Sequence, residues 1–133
     1  MGQLLLYVED DPMSREVMEI IVETVLDNID LVVFENSNDF MTHIQHLPSI
    51  PAIILLDIQV EPIDGFQMLT QLRQDSRYDD TRIIAHTASV MNEEVRRLRE
   101  VGFDGAIGKP LDQMVFPDLI DRILDGQAVW HIV

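Results

Sequence analysis

Short apolar runs alternate with helix-forming segments along the whole chain, and this alternation restricts the fold more than any other feature of the sequence. Five runs of strand length, rich in Ile, Leu and Val, occupy residues 3–8, 31–34, 52–57, 82–87 and 105–108. Near-continuous apolar strands are buried on both faces, which is typical of parallel sheets covered by helices. The sequence therefore predicts a doubly wound α/β domain with right-handed crossovers.

The segments between the runs have the periodicity of amphipathic helices. The first helix is predicted after Asp11 and Pro12, because an acidic N-cap followed by proline favours a helix start. The second is predicted to begin at Ser37 or Asn38. This second helix is predicted over 37–46, the third from Asp64-Gly65 onward, the fourth over 91–101 and the fifth over 116–125.

The chain is strongly acidic. Its 133 residues carry 24 acidic and nine basic side chains, which gives a formal net charge of −15. Such a surface repels nucleic acid and anionic membranes, because each phosphate contact requires a cation. The chain has no cysteine for thiol catalysis or disulfides, and no apolar stretch approaches the roughly 18 residues of a membrane span. We therefore expect a cytoplasmic protein that binds neither nucleic acid nor membrane.

One domain accounts for nearly all of the chain. Five β-α units fill residues 3–125, so we assign residues 1–126 to a single domain. Residues 127–133 follow as a short tail that contains Trp130, the only tryptophan. This tail either packs on the domain or begins a linker.

Acidic side chains and the only lysine stand at the carboxyl ends of the predicted strands. Glu9 and Asp10 follow the first run and Asp57 ends the third, while Thr87 ends the fourth and Lys109 follows the fifth. In a parallel sheet these side chains gather at one edge, where open α/β sheets bind ligands. Three carboxylates at about 4 Å repel one another by on the order of 4 kcal/mol per pair. Mg²⁺ and the lysine ammonium are the candidates for the compensating charge.

Each of these residues also has a simpler interpretation. Acids near a helix N-terminus are favoured by the helix dipole, which accounts for Asp11. Taken alone, Asp57 is explained as a strand end that faces solvent, Thr87 as a β-branched strand residue and Lys109 as an exposed turn residue. Taken together, a nucleophilic carboxylate, two acids for a metal, a hydroxyl and an ammonium indicate phosphoryl transfer, which depends on positioning and charge neutralisation.

The chain resembles the receiver domains of bacterial two-component response regulators, of the single-domain type found among chemotaxis regulators. The resemblance covers residues 3–125 and implies a flavodoxin-like fold, a doubly wound five-stranded parallel sheet in the order 2-1-3-4-5 with five helices. The matching motifs occur in the family's order and spacing: Val8-Glu9-Asp10-Asp11-Pro12, Leu55-Leu56-Asp57-Ile58-Gln59, Asp64-Gly65-Phe66, Thr87-Ala88 and Lys109-Pro110.

The resemblance also implies a role for each site residue. Asp57 is the phosphoryl acceptor, Thr87 bonds a phosphoryl oxygen once Asp57 is modified, and Lys109 pairs with another oxygen. Mg²⁺ is the implied cofactor. Its implied ligands are Glu9, largely through water, Asp10, Asp57 and the backbone carbonyl of Gln59.

The implied function is phosphorelay signal transduction. Asp57 accepts a phosphoryl group from a histidine kinase, a histidine phosphotransfer protein or a small acyl phosphate, in a Mg²⁺-dependent reaction that switches the binding surface of the domain. Hydrolysis of the aspartyl phosphate resets the switch. By this resemblance the protein is not an enzyme, beyond catalysing its own phosphorylation and dephosphorylation.

Two positions depart from the family pattern. Glu61, followed by Pro62, stands where the family usually has proline. Ala106 stands three residues before the lysine, where the family has an aromatic side chain that rotates to signal. Because a methyl group has no rotamers to switch, we expect the signal to leave through Thr87 and the loop 88–91.

The resemblance further implies a cis peptide between Lys109 and Pro110, which would aim the ammonium at Asp57. X–Pro bonds are cis in only about 5–6% of cases, so this expectation comes from the family alone.

Three other functions compete with the phosphorylated switch. A receiver-like interaction module that is not phosphorylated is the main alternative, and the intact Asp57 and Lys109 argue against it. A phosphatase of the haloacid-dehalogenase type needs a second acid where Gln59 stands. A flavodoxin-like flavin binder needs a phosphate loop of hydroxyls and glycines, whereas Glu9 and Asp10 would repel a phosphate.

Overall fold

The computed structural model describes residues 2–89 and 91–132. Met1 and Val133, which end the predicted ranges 1–126 and 127–133, and Val90 of the loop 88–91 lie outside the described residues. Within the described part, six parallel strands form one sheet in the order β2-β1-β3-β4-β5-β6. The strands are Gln3–Val8 (β1), Ile29–Phe34 (β2), Ile53–Asp57 (β3), Arg82–Thr87 (β4), Gly105–Gly108 (β5) and Val129–His131 (β6).

An α-helix lies between each strand and the next one along the chain. In residues 2–89 and 91–132 there are five α-helices, together with a short 3₁₀ helix over Ser76–Tyr78. The α-helices are Pro12–Thr24 (α1), Phe40–Gln45 (α2), Gly65–Arg73 (α3), Asn92–Val101 (α4) and Phe116–Leu124 (α5). Of the helices described, none is long and apolar enough to cross a membrane.

Polar caps fix the helix starts near the carboxyl edge of the sheet. The Asp11 carboxylate accepts the Ser14 N–H at 3.1 Å, with Pro12 in the first turn of α1, which confirms the predicted start. Asp64 and Gln67 cap α3 reciprocally in a capping box. Both caps satisfy backbone N–H groups that have no partner inside their helix.

The second helix begins later than predicted. The sequence pattern placed its start at Ser37 or Asn38, but α2 begins at Phe40. The Ser37 hydroxyl instead donates to the Ile63 carbonyl at 2.6 Å and accepts the Ile63 N–H at 2.8 Å. Because this hydroxyl joins the loop after β2 to the loop before α3, it does not cap the helix, and the prediction was wrong.

The prediction of a five-stranded sheet is also wrong in one respect. The order of the first five strands is as expected, but the tail contributes β6, which pairs with β5 and places Trp130 opposite Ala106. Three residues are too few for a periodic pattern, so the sequence did not separate this strand from a linker. β6 covers the backbone groups that β5 would otherwise expose as an edge strand.

Side chains that alternate along the strands divide the core into two layers. Leu6 and Val8 pack in the cluster beneath α2, α3 and α4, which we call the α2–α4 face. Leu5 and Tyr7 pack in the cluster beneath α1 and α5, which we call the α1/α5 face. The period of two continues beyond β1, so the next residue on the side of Tyr7 is Glu9.

Candidate functional site

Three acidic side chains meet at the carboxyl end of the sheet, at the junction of β1 and β3. Glu9, Asp10 and Asp57 each offer a carboxylate oxygen, and these oxygens all lie within 4.8 Å of one another. The chain passes from β1 to β2 on one side of β1 and then returns to form β3 on the other side. The junction of β1 and β3 is therefore the topological switch point of the sheet. Ligands of open α/β sheets bind at such points.

The three carboxylates differ in their exposure. Glu9 is fully buried and Asp57 is 4% exposed, whereas Asp10 lies in solvent. Asp57 Oδ1 accepts the backbone N–H of Gln59 at 3.1 Å, which fixes the orientation of its carboxylate. The cluster therefore has one solvent-facing side, where Asp10 stands, and one closed side, where Glu9 stands.

Lys109 supplies the positive charge that the cluster needs. Its Nζ lies 2.9 Å from Glu9 Oε1 and 3.3 Å from Asp57 Oδ2. Burial by itself lowers the pKa of Lys109, but the hydrogen bond to Glu9 and the charge of Asp57 outweigh burial and raise the pKa. The side chain is therefore an ammonium at neutral pH. The Lys109–Pro110 peptide is cis, as predicted, and Glu61–Pro62 is cis as well.

Thr87 lies at the end of β4, one position beyond the register of Asp57. Its hydroxyl accepts the Ser89 N–H at 3.1 Å. In the residues that the structure describes, this hydroxyl makes no hydrogen bond to the carboxylates or to Lys109. The sheet thus brings four of the predicted site residues together, namely Glu9, Asp10, Asp57 and Lys109. The roles of all the predicted site residues, including the Thr87 hydroxyl and the Gln59 carbonyl, stay predictions.

Arg15 belongs to the site, although no pattern in the sequence predicted it. Its Nη1 donates to the backbone carbonyls of Glu9 at 3.1 Å and Asp10 at 2.7 Å, and its Nη2 pairs with Glu35 at 3.2 Å. Arg15 therefore ties the loop between β1 and α1 to the end of β2. A sequence pattern does not reveal contacts with backbone carbonyls, so no signal pointed to this residue.

Tyr7 and His86 form a buried polar pair beside Glu9, and neither was predicted as a site residue. The Tyr7 hydroxyl donates to Glu9 Oε1 at 3.0 Å and lies 3.1 Å from His86 Nδ1. Both rings are buried, and their centroids are 5.6 Å apart. A tyrosine and a histidine within otherwise aliphatic strands were the signal that would have found them.

The protonation of this pair follows from its burial. Burial raises the pKa of Tyr7, and the Glu9 charge raises it further, so the phenol keeps its proton. Burial, assisted by the Lys109 ammonium and opposed by Glu9, lowers the pKa of His86 to about 3, so the imidazole is neutral. Because the Tyr7 proton points at Glu9, His86 Nδ1 carries a proton and donates to the Tyr7 oxygen.

A family model and a curated relative both place the chain in the same protein family. The chain matches the family model described as response regulator receiver domain over residues 5–121. Response regulator Rre1 of Synechocystis sp. is 31% identical over 121 residues, which cover 90% of this chain and 49% of Rre1. The chain therefore spans about half the length of that curated relative.

Solved structures share the fold. The chemotaxis response regulator CheY4 of Vibrio cholerae has a TM-score of 0.81 at 18% identity, covering 92% of this chain and 99% of that chain. The receiver domain of sensor histidine kinase PA1611 of Pseudomonas aeruginosa has a TM-score of 0.79 at 19% identity, covering 94% and 99%. That domain was solved with a magnesium ion coordinated in its active site cleft.

Proposed function

The chain belongs to the response regulator receiver family, and from that membership we propose that it accepts a phosphoryl group on Asp57 in a phosphorelay. Receiver domains interact with histidine kinases or phosphotransfer proteins. The observation that carries the proposal is the contact between Asp57 Oδ2, on a nearly buried carboxylate, and the Lys109 ammonium at 3.3 Å. We further propose that the receiver domain comprises residues 1–126 and that the tail 127–133 completes its sheet through β6.

The oxygen atoms at the site fit Mg²⁺, which prefers carboxylate oxygens and water. We propose that Asp10 and Asp57 hold the ion directly, with the Gln59 carbonyl as a further ligand. Glu9 acts through water in this proposal, because its Oε1 already accepts hydrogen bonds from Tyr7 and Lys109. When bound, Mg²⁺ neutralises charge on the phosphoryl oxygens and on the acidic cluster.

In the proposed reaction, an Asp57 oxygen attacks the phosphorus of a phosphohistidine. A phosphorus–oxygen bond forms, the phosphorus–nitrogen bond breaks, and its electron pair stays on the leaving ring nitrogen. Lys109 bonds one phosphoryl oxygen, and Thr87 bonds another after its hydroxyl turns away from Ser89. Small acyl phosphates serve as alternative donors, and hydrolysis of the aspartyl phosphate restores Asp57.

An exposed apolar stripe beside the site supports the proposed histidine-bearing partner. Met13, Val17 and Ile20 stand at i, i+4 and i+7 on α1 and are 73%, 40% and 47% exposed. Met114, before α5, is 84% exposed. Contiguous apolar surface of this kind marks a protein contact. Nucleic acid is a poor candidate for this partner, because the net charge is −15.

A receiver-like interaction module without phosphorylation is the second candidate function. It would keep the fold and the apolar stripe, but it would have no use for a buried carboxylate held against a lysine. The ion pair of Asp57 and Lys109 therefore favours the phosphorylated switch.

The intact mass of the protein after incubation with acetyl phosphate tests the proposal. The wild-type protein should gain one phosphoryl group in the presence of Mg²⁺ and none with a chelator. Asp57→Asn should gain none, while the control Asp80→Asn, which changes an exposed acid before β4, should behave as wild type. Equal uptake by Asp57→Asn would overturn the assignment of the acceptor.

A further inference from the structure

Glu9 connects Lys109 to the buried pair of Tyr7 and His86. Glu9 Oε1 lies 2.9 Å from Lys109 Nζ and 3.0 Å from the Tyr7 hydroxyl. Its other oxygen, Oε2, accepts the Asp11 N–H at 3.3 Å. Because Glu9 is fully buried, these donors, and not bulk water, stabilise its negative charge.

The proposed reaction requires Lys109 to change partners. In the unmodified protein its ammonium bonds Glu9 and Asp57. When Lys109 turns to a phosphoryl oxygen, Glu9 Oε1 loses its charged donor. A buried carboxylate oxygen without a donor is costly. Among residues 2–89 and 91–132, the remaining hydrogen-bond donor to Oε1 is the Tyr7 hydroxyl.

We propose that Tyr7, oriented by His86, is a positioning residue that keeps Glu9 in place and hydrogen-bonded when Lys109 moves to the phosphoryl group. This inference rests on the proposed function. His86 acts by donating from Nδ1 to the Tyr7 oxygen, which leaves the Tyr7 proton directed at Glu9. Tyr7 and His86 do not touch the phosphoryl group in this scheme.

The strand register explains how two distant residues reach the same carboxylate. Tyr7 on β1 lies level with Leu55 on β3, and His86 on β4 lies level with Asp57. The long Tyr7 side chain therefore reaches across β3 to the end of β4, beneath the acidic cluster. A phenylalanine would fill the same apolar space, so the hydroxyl is the group that packing alone does not require.

Beryllofluoride binding to Tyr7→Phe tests the proposal. With Mg²⁺, beryllofluoride adds to the acceptor aspartate as a phosphoryl mimic, so its affinity reports the state in which Lys109 has moved. Tyr7→Phe should weaken beryllofluoride binding about tenfold, the effect of one lost donor to a buried charge. Its affinity for Mg²⁺ alone should be unchanged, because Lys109 then still bonds Glu9. A merely structural defect would weaken both.

Two controls make the measurement specific. Tyr78→Phe changes the other tyrosine, which is buried on the α2–α4 face, and should leave both affinities unchanged. His86→Phe should weaken beryllofluoride binding in the same direction as Tyr7→Phe, by a smaller factor. It also keeps the test available if Tyr7→Phe does not fold.

A double-mutant cycle with Glu9→Gln identifies the group on which Tyr7 acts. The neutral amide leaves no buried charge, so adding Tyr7→Phe to Glu9→Gln should change beryllofluoride affinity by less than about threefold. The same tenfold loss in both backgrounds would overturn the proposal. A wild-type protein that binds no beryllofluoride would contradict the proposed function, whereas equal binding by the wild type and Tyr7→Phe would contradict only this inference.

Discussion

The two faces of the sheet differ in what stabilises them near the site. On the α1/α5 face, the polar side chains of Tyr7, Glu9 and His86 are buried side by side. On the α2–α4 face, the residues at the same level are apolar, with Val8 on β1 and Ala85 on β4. A buried charge is tolerated only when it is paired. Near the site, the α1/α5 face therefore depends on hydrogen bonds and charge, and we call it the polar face. The α2–α4 face depends on packing, and we call it the apolar face.

The same contrast extends to the far edge of the sheet. Trp130 of β6 lies opposite Ala106 and packs against the α2–α4 cluster, and the Arg99 guanidinium lies 4.3 Å from the centre of its ring. The apolar face is therefore completed by a large side chain from the end of the chain. On the α1/α5 face, the buried polar side chains of Tyr7, Glu9 and His86 occupy the carboxyl end of the sheet instead.

Removing packing from the apolar face should have the largest effect on stability. Ile54→Ala deletes a fully buried side chain from the α2–α4 cluster and should lower the free energy of unfolding by about 4 kcal/mol. Urea unfolding checks this value, and Mg²⁺ should not restore the loss. Ile50→Ala, at a position that is 51% exposed, is the matched control and should have little effect. A loss no larger than that of the control would contradict the contrast between the faces.

Removing the cation from the polar face should have the next largest effect. Lys109→Ala leaves Glu9 and Asp57 without a counter-charge and should lower the free energy of unfolding by about 3 kcal/mol. Unlike the loss in the apolar face, part of this loss should return when Mg²⁺ is added, because the ion supplies positive charge. Urea unfolding with and without Mg²⁺ measures both effects. Arg122→Ala, on the exposed side of α5, serves as control.

Shortening the side chain at the edge strand should have a smaller effect. Trp130→Ala should lower the free energy of unfolding by about 2 kcal/mol, less than a fully buried aromatic residue because the ring is half-buried. Trp130→Phe should recover most of the loss in urea unfolding. An alanine variant as stable as the wild type would indicate that β6 adds nothing to the apolar face.

The smallest predicted effect concerns pH and the polar face. His86 has its pKa lowered to about 3 in the folded protein, whereas an unfolded histidine titrates near its ordinary pKa of about 6.5. The unfolded chain therefore takes up a proton first as the pH falls, and stability is lost between about pH 6.5 and 3. From pH 7 to 5.5 this loss should be about 1 kcal/mol in urea unfolding. His86→Phe should remove this slope, and an unchanged slope would contradict the buried neutral imidazole.

Local patterns predicted those parts of the molecule that depend on neighbours in the chain. The start of α1 was predicted correctly, because Asp11 and Pro12 act on their own helix. The start of α2 was predicted wrongly, because Ser37 bonds Ile63, which is 26 residues away. The carboxyl-edge position of the acidic residues was predictable because parallel strands end at the same edge. Their meeting in one cluster also requires β1 and β3 to be neighbours, an order that only the family resemblance implied.

The sequence by itself determined the alternation of strands and helices, the carboxyl-edge position of Asp57 and Lys109, and the strongly acidic charge. These follow from local composition and from the period of each element. Only the tertiary structure decided that the tail forms β6 and that Tyr7 and His86 meet at Glu9. Those contacts depend on the register between strands that are far apart in the chain, and no local pattern specifies that register for a three-residue strand or for a side chain that reaches across β3.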